Sequence, residues 1–160
     1  MVFMKPNKKL SAIVFLFCVF SKSLFAGVLA VNELSFGTVV VTDNSVVSTV
    51  SIDLLSGNTF VTNKMLVLVP GQLGEFLLYG LPPYTSVNLS ANVITPQTTS
   101  GGVPSEQFTL GNLTVEPSLT IDENGEGIFF VGGTLSTSGN GNNNYADLEF
   151  TVRHNIVISY

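Results

Sequence analysis

From Leu148 to the C-terminus apolar and polar side chains alternate: Leu148, Phe150, Val152, Ile156, Ile158 and Tyr160 take even positions, and mostly polar residues take the odd ones. Successive strand side chains point to opposite faces, so this period of two predicts a long closing strand, Tyr145 to Tyr160, with one face buried and the other wet. Such a strand is expected to need partners along both edges. Upstream, Leu34 to Val40 reads as a first strand and Val46-Ser48-Val50-Ile52-Leu54 as a second, joined by a turn at Asp43-Asn44-Ser45. Met65 to Val69 is apolar at every position and stops at Pro70-Gly71, the pattern of a central strand buried on both faces. Phe76 to Leu81 reads similarly. Val87, Leu89, Ala91 and Val93 then alternate with Asn88, Ser90 and Asn92.

Phe108, Leu110, Leu113 and Val115 continue the alternation across Gly111-Asn112, where the break in phase predicts a bulge. Leu119 to Ile121 and Ile128 to Val131 flank a turn whose Asn124-Gly125 pair is a hairpin signal. The stretches 96–107 and 136–144 read as loops, the second a flexible Gly/Asn/Ser tract at the rim. Nothing beyond the first 26 residues has a 3.6-residue period. The expected fold is therefore all-β: an antiparallel two-sheet sandwich of immunoglobulin or pilin-like character, with eight or nine strands. A closed β-barrel is the alternative.

The first 26 residues follow another rule. Lys5, Lys8 and Lys9 precede an apolar run from Leu10 to Phe20, and Ser23-Leu24-Phe25-Ala26 offers a small residue for cleavage, so 1–26 reads as a cleaved signal peptide and 27–160 as one domain. Val28-Leu29-Ala30 is a second possible cut. The run is shorter than the roughly 20 apolar residues of a membrane span, so none is expected after cleavage. The general secretory route would deliver the chain to the periplasm, the cell surface or the medium. The segment carries Cys18, the only cysteine, and four of the six basic residues, leaving Lys64 and Arg153 against eleven acidic residues, a formal charge of −9. So acidic a domain has no clustered cations for phosphate backbones, which excludes nucleic acid as a partner. Its fold must stand without disulfides.

Chemistry is sparse. His154 is the only histidine, so no His/Cys zinc site or Cys-His pair can be assembled. No Gly-x-Ser-x-Gly elbow supplies a nucleophile for a triad. His154 falls at an inward position of the closing strand and reads as a neutral, part-buried imidazole. Asp122, Glu123, Asn124 and Glu126 could offer hard oxygens to calcium, but the full loop series is missing and a solvated turn accounts for the same residues. No catalytic residue, metal or cofactor is assigned.

Several segments resemble a bacterial exported family catalogued only as domain of unknown function 4402. They are Leu34-Ser35-Phe36-Gly37-Thr38, Glu75 to Gly80, Ile121 to Gly125 with Val131-Gly132-Gly133-Thr134-Leu135, and Tyr145 to Tyr160. Leu-Ser-Phe-Gly is also similar to the first strand of spore-coat-like pilus subunits. The family's Tyr has glycines two places to either side, where this chain has Asn143 and Asp147. The resemblance implies an exported, all-β, pilin-like or surface protein with no catalytic residues to carry over. In that setting the glycosylation-like triplets Asn88-Leu89-Ser90 and Asn112-Leu113-Thr114 read as chance.

The expected function is a non-catalytic surface or fimbrial subunit. It would pair strands with copies of itself or with other surface-assembly subunits, with Leu34, Phe36, Leu148, Phe150, Val152, Ile156, Ile158 and Tyr160 as candidate assembly residues. Val28, Ala30, Leu34 and Phe36 share one face in the sequence pattern, so the segment through Val40 is a candidate donated strand. The alternative is a self-contained binding module that recognises a glycan or protein through loops 96–107 and 136–144.

Overall fold

The computed structural model describes residues 25–101, 104–141 and 144–160. The export-signal reading, with Cys18, falls almost entirely on residues outside these. The described residues form strands and no helix: β1 (Gly27–Asn32), β2 (Thr38–Val41), β3 (Thr49–Ile52), β4 (Thr59–Val61), β5 (Met65–Val69), β6 (Gly74–Tyr79) and β7 (Ser86–Val93), then β8 (Thr99–Ser100), β9 (Thr109–Val115), β10 (Ser118–Thr120), β11 (Gly127–Ser136), β12 (Phe150–Thr151) and β13 (His154–Ser159). Every pairing is antiparallel, and no sheet closes on itself. The fold is a β-sandwich, not the alternative barrel.

The longest strand, β11, organises the large sheet. Its first half pairs with β6, which carries β1 on its far edge; its second half pairs with β3, followed by β4, and β9 covers its other edge. The second layer runs β10-β7-β13. Segment 108–120 joins the layers. β9 bonds to β11, while the same stretch follows 86–98 in one antiparallel register: Thr98 donates to the Phe108 carbonyl, Leu110 to Pro96, and Leu89 to Pro117, before β10 pairs with β7. One side of the sandwich is thus closed by main chain. From that side the large sheet extends through β11, β6 and β1, but the second layer only through β7 and β13.

Two apolar clusters fill the interior. The first joins Leu78, Leu81, Val87, Leu89, Ile121, Phe129 and Val131, with Phe76 stacked on Phe129 at 5.3 Å between ring centroids. The second joins Val50, Met65, Phe108, Leu110 and Leu135, with Tyr145 and Phe150 against Phe108 at 4.2 and 4.9 Å. The alternation at Val50, Ile52, Val87 and Leu89 predicts buried positions correctly.

Four local expectations are corrected. The first strand is not continuous from Leu34: Gly37 has φ +77° and a Cβ there would lie 2.1 Å from the Val69 carbonyl oxygen, so the chain turns before β2 begins. Met65 to Val69 is not a central strand. It pairs with β2, and Leu66, Leu68 and Val69 are exposed, so an unbroken apolar run here marks an apolar surface rather than burial on both faces. The Asn124-Gly125 turn forms, with Gly125 at φ +82° and the Asp122 amide bonded to the Glu126 carbonyl, but it links the two layers because β10 pairs with β7. The closing strand divides at Val152-Arg153 into β12, which pairs with β8, and β13, which pairs with β7. By contrast the bulge at Gly111 is present, where the register with β11 shifts between Thr134 and Leu135.

Candidate functional site

The unequal layers leave one flank of the sandwich uncovered. Val28 lies opposite the buried Leu78 and Ala30 opposite Phe76, so both point from β1 to the core side of the large sheet. Directly paired residues share a face. Yet Val28 is 47% exposed and Ala30 is also exposed, because the second layer has no strand facing β1. At the rim of that layer, β13 has β7 as its only paired neighbour among the described strands. Its inward side chains His154, Ile156 and Ile158 are half-buried, whereas the equivalent Val87 and Leu89 of β7 are buried. Ile156 and Ile158 pack on the first cluster, as do Leu34 and Phe76. The flank therefore offers an unpaired strand edge beside partly covered apolar side chains, the arrangement that accepts an added strand.

The candidate assembly residues divide between two places. Leu34, Ile156 and Ile158 meet on the first cluster beside the open flank. Phe36, Phe150 and Val152 pack on the second, where Phe150 meets Phe108 edge-on. Leu148 borders a shallow cleft with Thr99 and Thr151, and Tyr160 is exposed beyond the end of β13. The closing strand was expected to present the six from Leu148 to Tyr160 together, and its break at Val152-Arg153 separates them. The alternation places Val28 and Ala30 on a common face, but their position opposite an absent strand follows from the layer count, which no local pattern contains. Phe76 was read as strand core and not as part of a site.

His154 is half-buried, and burial pushes its imidazole below the ordinary value of 6.5, favouring the neutral form. Among the described residues no acid or hydroxyl hydrogen-bonds to it. The acidic turn is internally occupied. Asp122 Oδ1 accepts the amides of Asn124 and Glu126 at 2.9 and 2.8 Å, and Oδ2 accepts Asn124 Nδ2 at 3.2 Å. These bonds, the Glu126 amide first, hold the Asp122 carboxyl below the usual range. Among the described residues no three His, Cys, Asp or Glu side chains converge as a metal-ligating group, and Asp122, Glu123 and Glu126 are all exposed.

Of the two candidate recognition loops, 136–144 is braced in its described part. Asn44, 4% exposed, donates to Ser138 Oγ and accepts the Gly139 amide, both at 3.0 Å, while its carbonyl receives the Gly141 amide at 2.8 Å. In the loop 96–107, Thr98 is buried and its hydroxyl accepts the Phe108 amide at 2.9 Å. Neither loop presents an exposed aromatic platform among its described residues.

No helix among the described residues is long and apolar enough to cross a membrane. No family model matches the chain, and neither curated proteins nor solved structures include a significant match.

Proposed function

We propose that the chain is an exported, non-catalytic structural protein of the cell surface that assembles by accepting an added strand along β13. The observation that carries this reading is the uncovered flank. A sandwich that needed nothing further would bury Val28, Ile156 and Ile158, because exposed core-side apolar area loses roughly 25 cal/mol per Å² of available stabilisation. A strand added beside β13 would satisfy its free main-chain groups and cover these side chains together. The partner is a second copy of the chain or another surface subunit with an alternating apolar segment. No enzymatic role is proposed, since the described residues offer no nucleophile with a base.

The reading is tested by size-exclusion chromatography and negative-stain microscopy of the mature protein across concentrations, alongside Ala30→Lys. Ala30 is exposed, so a lysine there leaves the core untouched while placing a charge inside the flank. Concentration-dependent oligomers or filaments are expected for the parent and a monomer for the variant. A parent that stays monomeric at all concentrations, alone and with envelope extract, contradicts strand addition.

A further inference from the structure

The outer faces of the two sheets differ in kind. Across the large sheet, Leu29, Leu77 and Ile128 lie in one cross-strand row, an apolar surface. The second layer presents Ser86, Asn88, Ser90 and Asn92 from β7, Ser118 and Thr120 from β10, and Asn155, Val157 and Ser159 from β13, all exposed. None is ionisable, in a domain with eleven acidic residues. The pairings set these groups in register: Asn92 faces Asn155, Ser90 faces Val157, and Asn88 lies between Ser118 and Ser159.

The three asparagines work against their local structure. Asn is depleted in strands and Thr enriched. A face that only had to stay wet would be better served by Thr, or by charged residues that also improve solubility. Elsewhere several asparagine amides are used internally, Asn32 Nδ2 donating to Glu75, Asn63 Nδ2 to the Val47 carbonyl and Asn124 to Asp122, with Asn44 anchoring the 138–141 segment, while the exposed Asn58 and Asn112 make no side-chain bond to the described protein. The amides of Asn88, Asn92 and Asn155 make no hydrogen bond to the described protein. Each leaves two donors and an acceptor pointing outward.

We propose that this face is a binding surface for neutral polysaccharide. Amides and hydroxyls about 5 Å apart across strands can both donate to and accept from the hydroxyls of a sugar chain. Charge favours a neutral polymer: none of the nine side chains is a cation, the exposed Arg153 just ahead of β13 is a single positive charge beside them, and the acidic domain as a whole repels an anionic glycan. The proposal goes beyond assembly, because these side chains point away from the core whether or not β13 gains a neighbour.

The test is affinity electrophoresis of the mature protein in gels containing dextran, starch or galactomannan, with carboxymethyl-dextran as the anionic counterpart. Retardation by at least one neutral polymer, and none by carboxymethyl-dextran, is expected. The triple variant Asn88→Thr, Asn92→Thr, Asn155→Thr should bind at least roughly tenfold more weakly, since each truncated amide loses bonds of about 1 kcal/mol. Its thermal midpoint should stay equal or rise, as Thr is the better strand former. Asn92→Asp, which keeps the side-chain shape but loses the donors, should also weaken binding. The proposal is overturned if no neutral polymer retards the parent, if the anionic polymer retards it equally, or if both variants bind like the parent. It is likewise overturned if the triple variant changes only self-association, which would make the face a contact between copies.

Discussion

The half of the sandwich around Phe129 and the half around Met65 are stabilised in different ways. The first is built from β6, β7, β11 and β13, strands of six to ten residues held by long ladders, with one edge of β13 left unpaired. The second joins the far ends of β9 and β11 to β2, β3, β4, β5, β8 and β12, short strands of two to five residues whose own ladders are brief. There, side chains take over main-chain pairing. Thr137 Oγ1 accepts the Ser48 amide at 2.8 Å, Ser48 Oγ the Lys64 amide at 3.0 Å, and Thr62 Oγ1 the Thr49 amide at 2.9 Å. Tyr145 adds its hydroxyl, which accepts from Ser138 and donates to the Gln107 carbonyl, to a ring already stacked on Phe108. The long-strand half is regular but open on one flank; the short-strand half is irregular and stitched. Regular strands leave an edge that can be extended, whereas side-chain braces fill the positions a new strand would take.

That contrast is broken most severely at Phe129. It is fully buried and stacked on Phe76, so Phe129→Ala is expected to lower unfolding free energy by about 3–5 kcal/mol in urea titration. In the stitched half the corresponding loss comes from a polar residue. Asn44→Ala removes a buried amide holding two segments of chain, and about 1–3 kcal/mol is expected by the same titration. An effect indistinguishable from an exposed substitution would deny that side chains replace ladders there. Tyr145→Phe keeps the ring but deletes the hydroxyl, so about 1 kcal/mol is expected, less than the loss at Asn44.

The smallest effects are those of pH. Burial lowers the pKa of His154, so its contribution is fully present above the ordinary value of 6.5 and is lost as pH falls through the lower folded value. Asp43, Asp53 and Asp122 are held below 3.8 by hydrogen bonds, chiefly from the Ser45 hydroxyl, the Ser56 hydroxyl and the Glu126 amide. Their contribution is present above 3.8 and disappears as pH falls through their folded values. Thermal midpoints are therefore expected to fall in two shallow steps, the upper one abolished by His154→Gln and the lower one retained. A single step unaffected by that substitution would show that the β13 imidazole is not desolvated.

How much of this was legible in the sequence follows the same division. In the long strands a period of two assigns faces correctly, as at Val87, Leu89, Ile156 and Ile158, because one buried face fixes the pattern. In the short strands it does not. The apolar run at Met65 to Val69 reads as doubly buried although three of its residues are exposed, since burial there depends on which strands lie alongside. Gly37 and Val152-Arg153 interrupt continuous patterns through backbone geometry and change of pairing partner, neither visible as hydrophobicity. The braces of Asn44 and Ser48 were hidden because polar residues in Asn- and Ser-rich stretches look alike whether buried or wet. The open flank depends on counting strands in two layers, information held only by the assembled fold.

The most direct measurement on that flank is amide hydrogen exchange of β13, residues His154–Ser159, compared between dilute monomer and concentrated or filamentous protein. Strand addition predicts that amides on the free edge, unprotected in the monomer, become protected on assembly, while those of β3 and β5 in the stitched half stay unchanged. Equal exchange along β13 in both states, or new protection only in β3 and β5, would contradict the account.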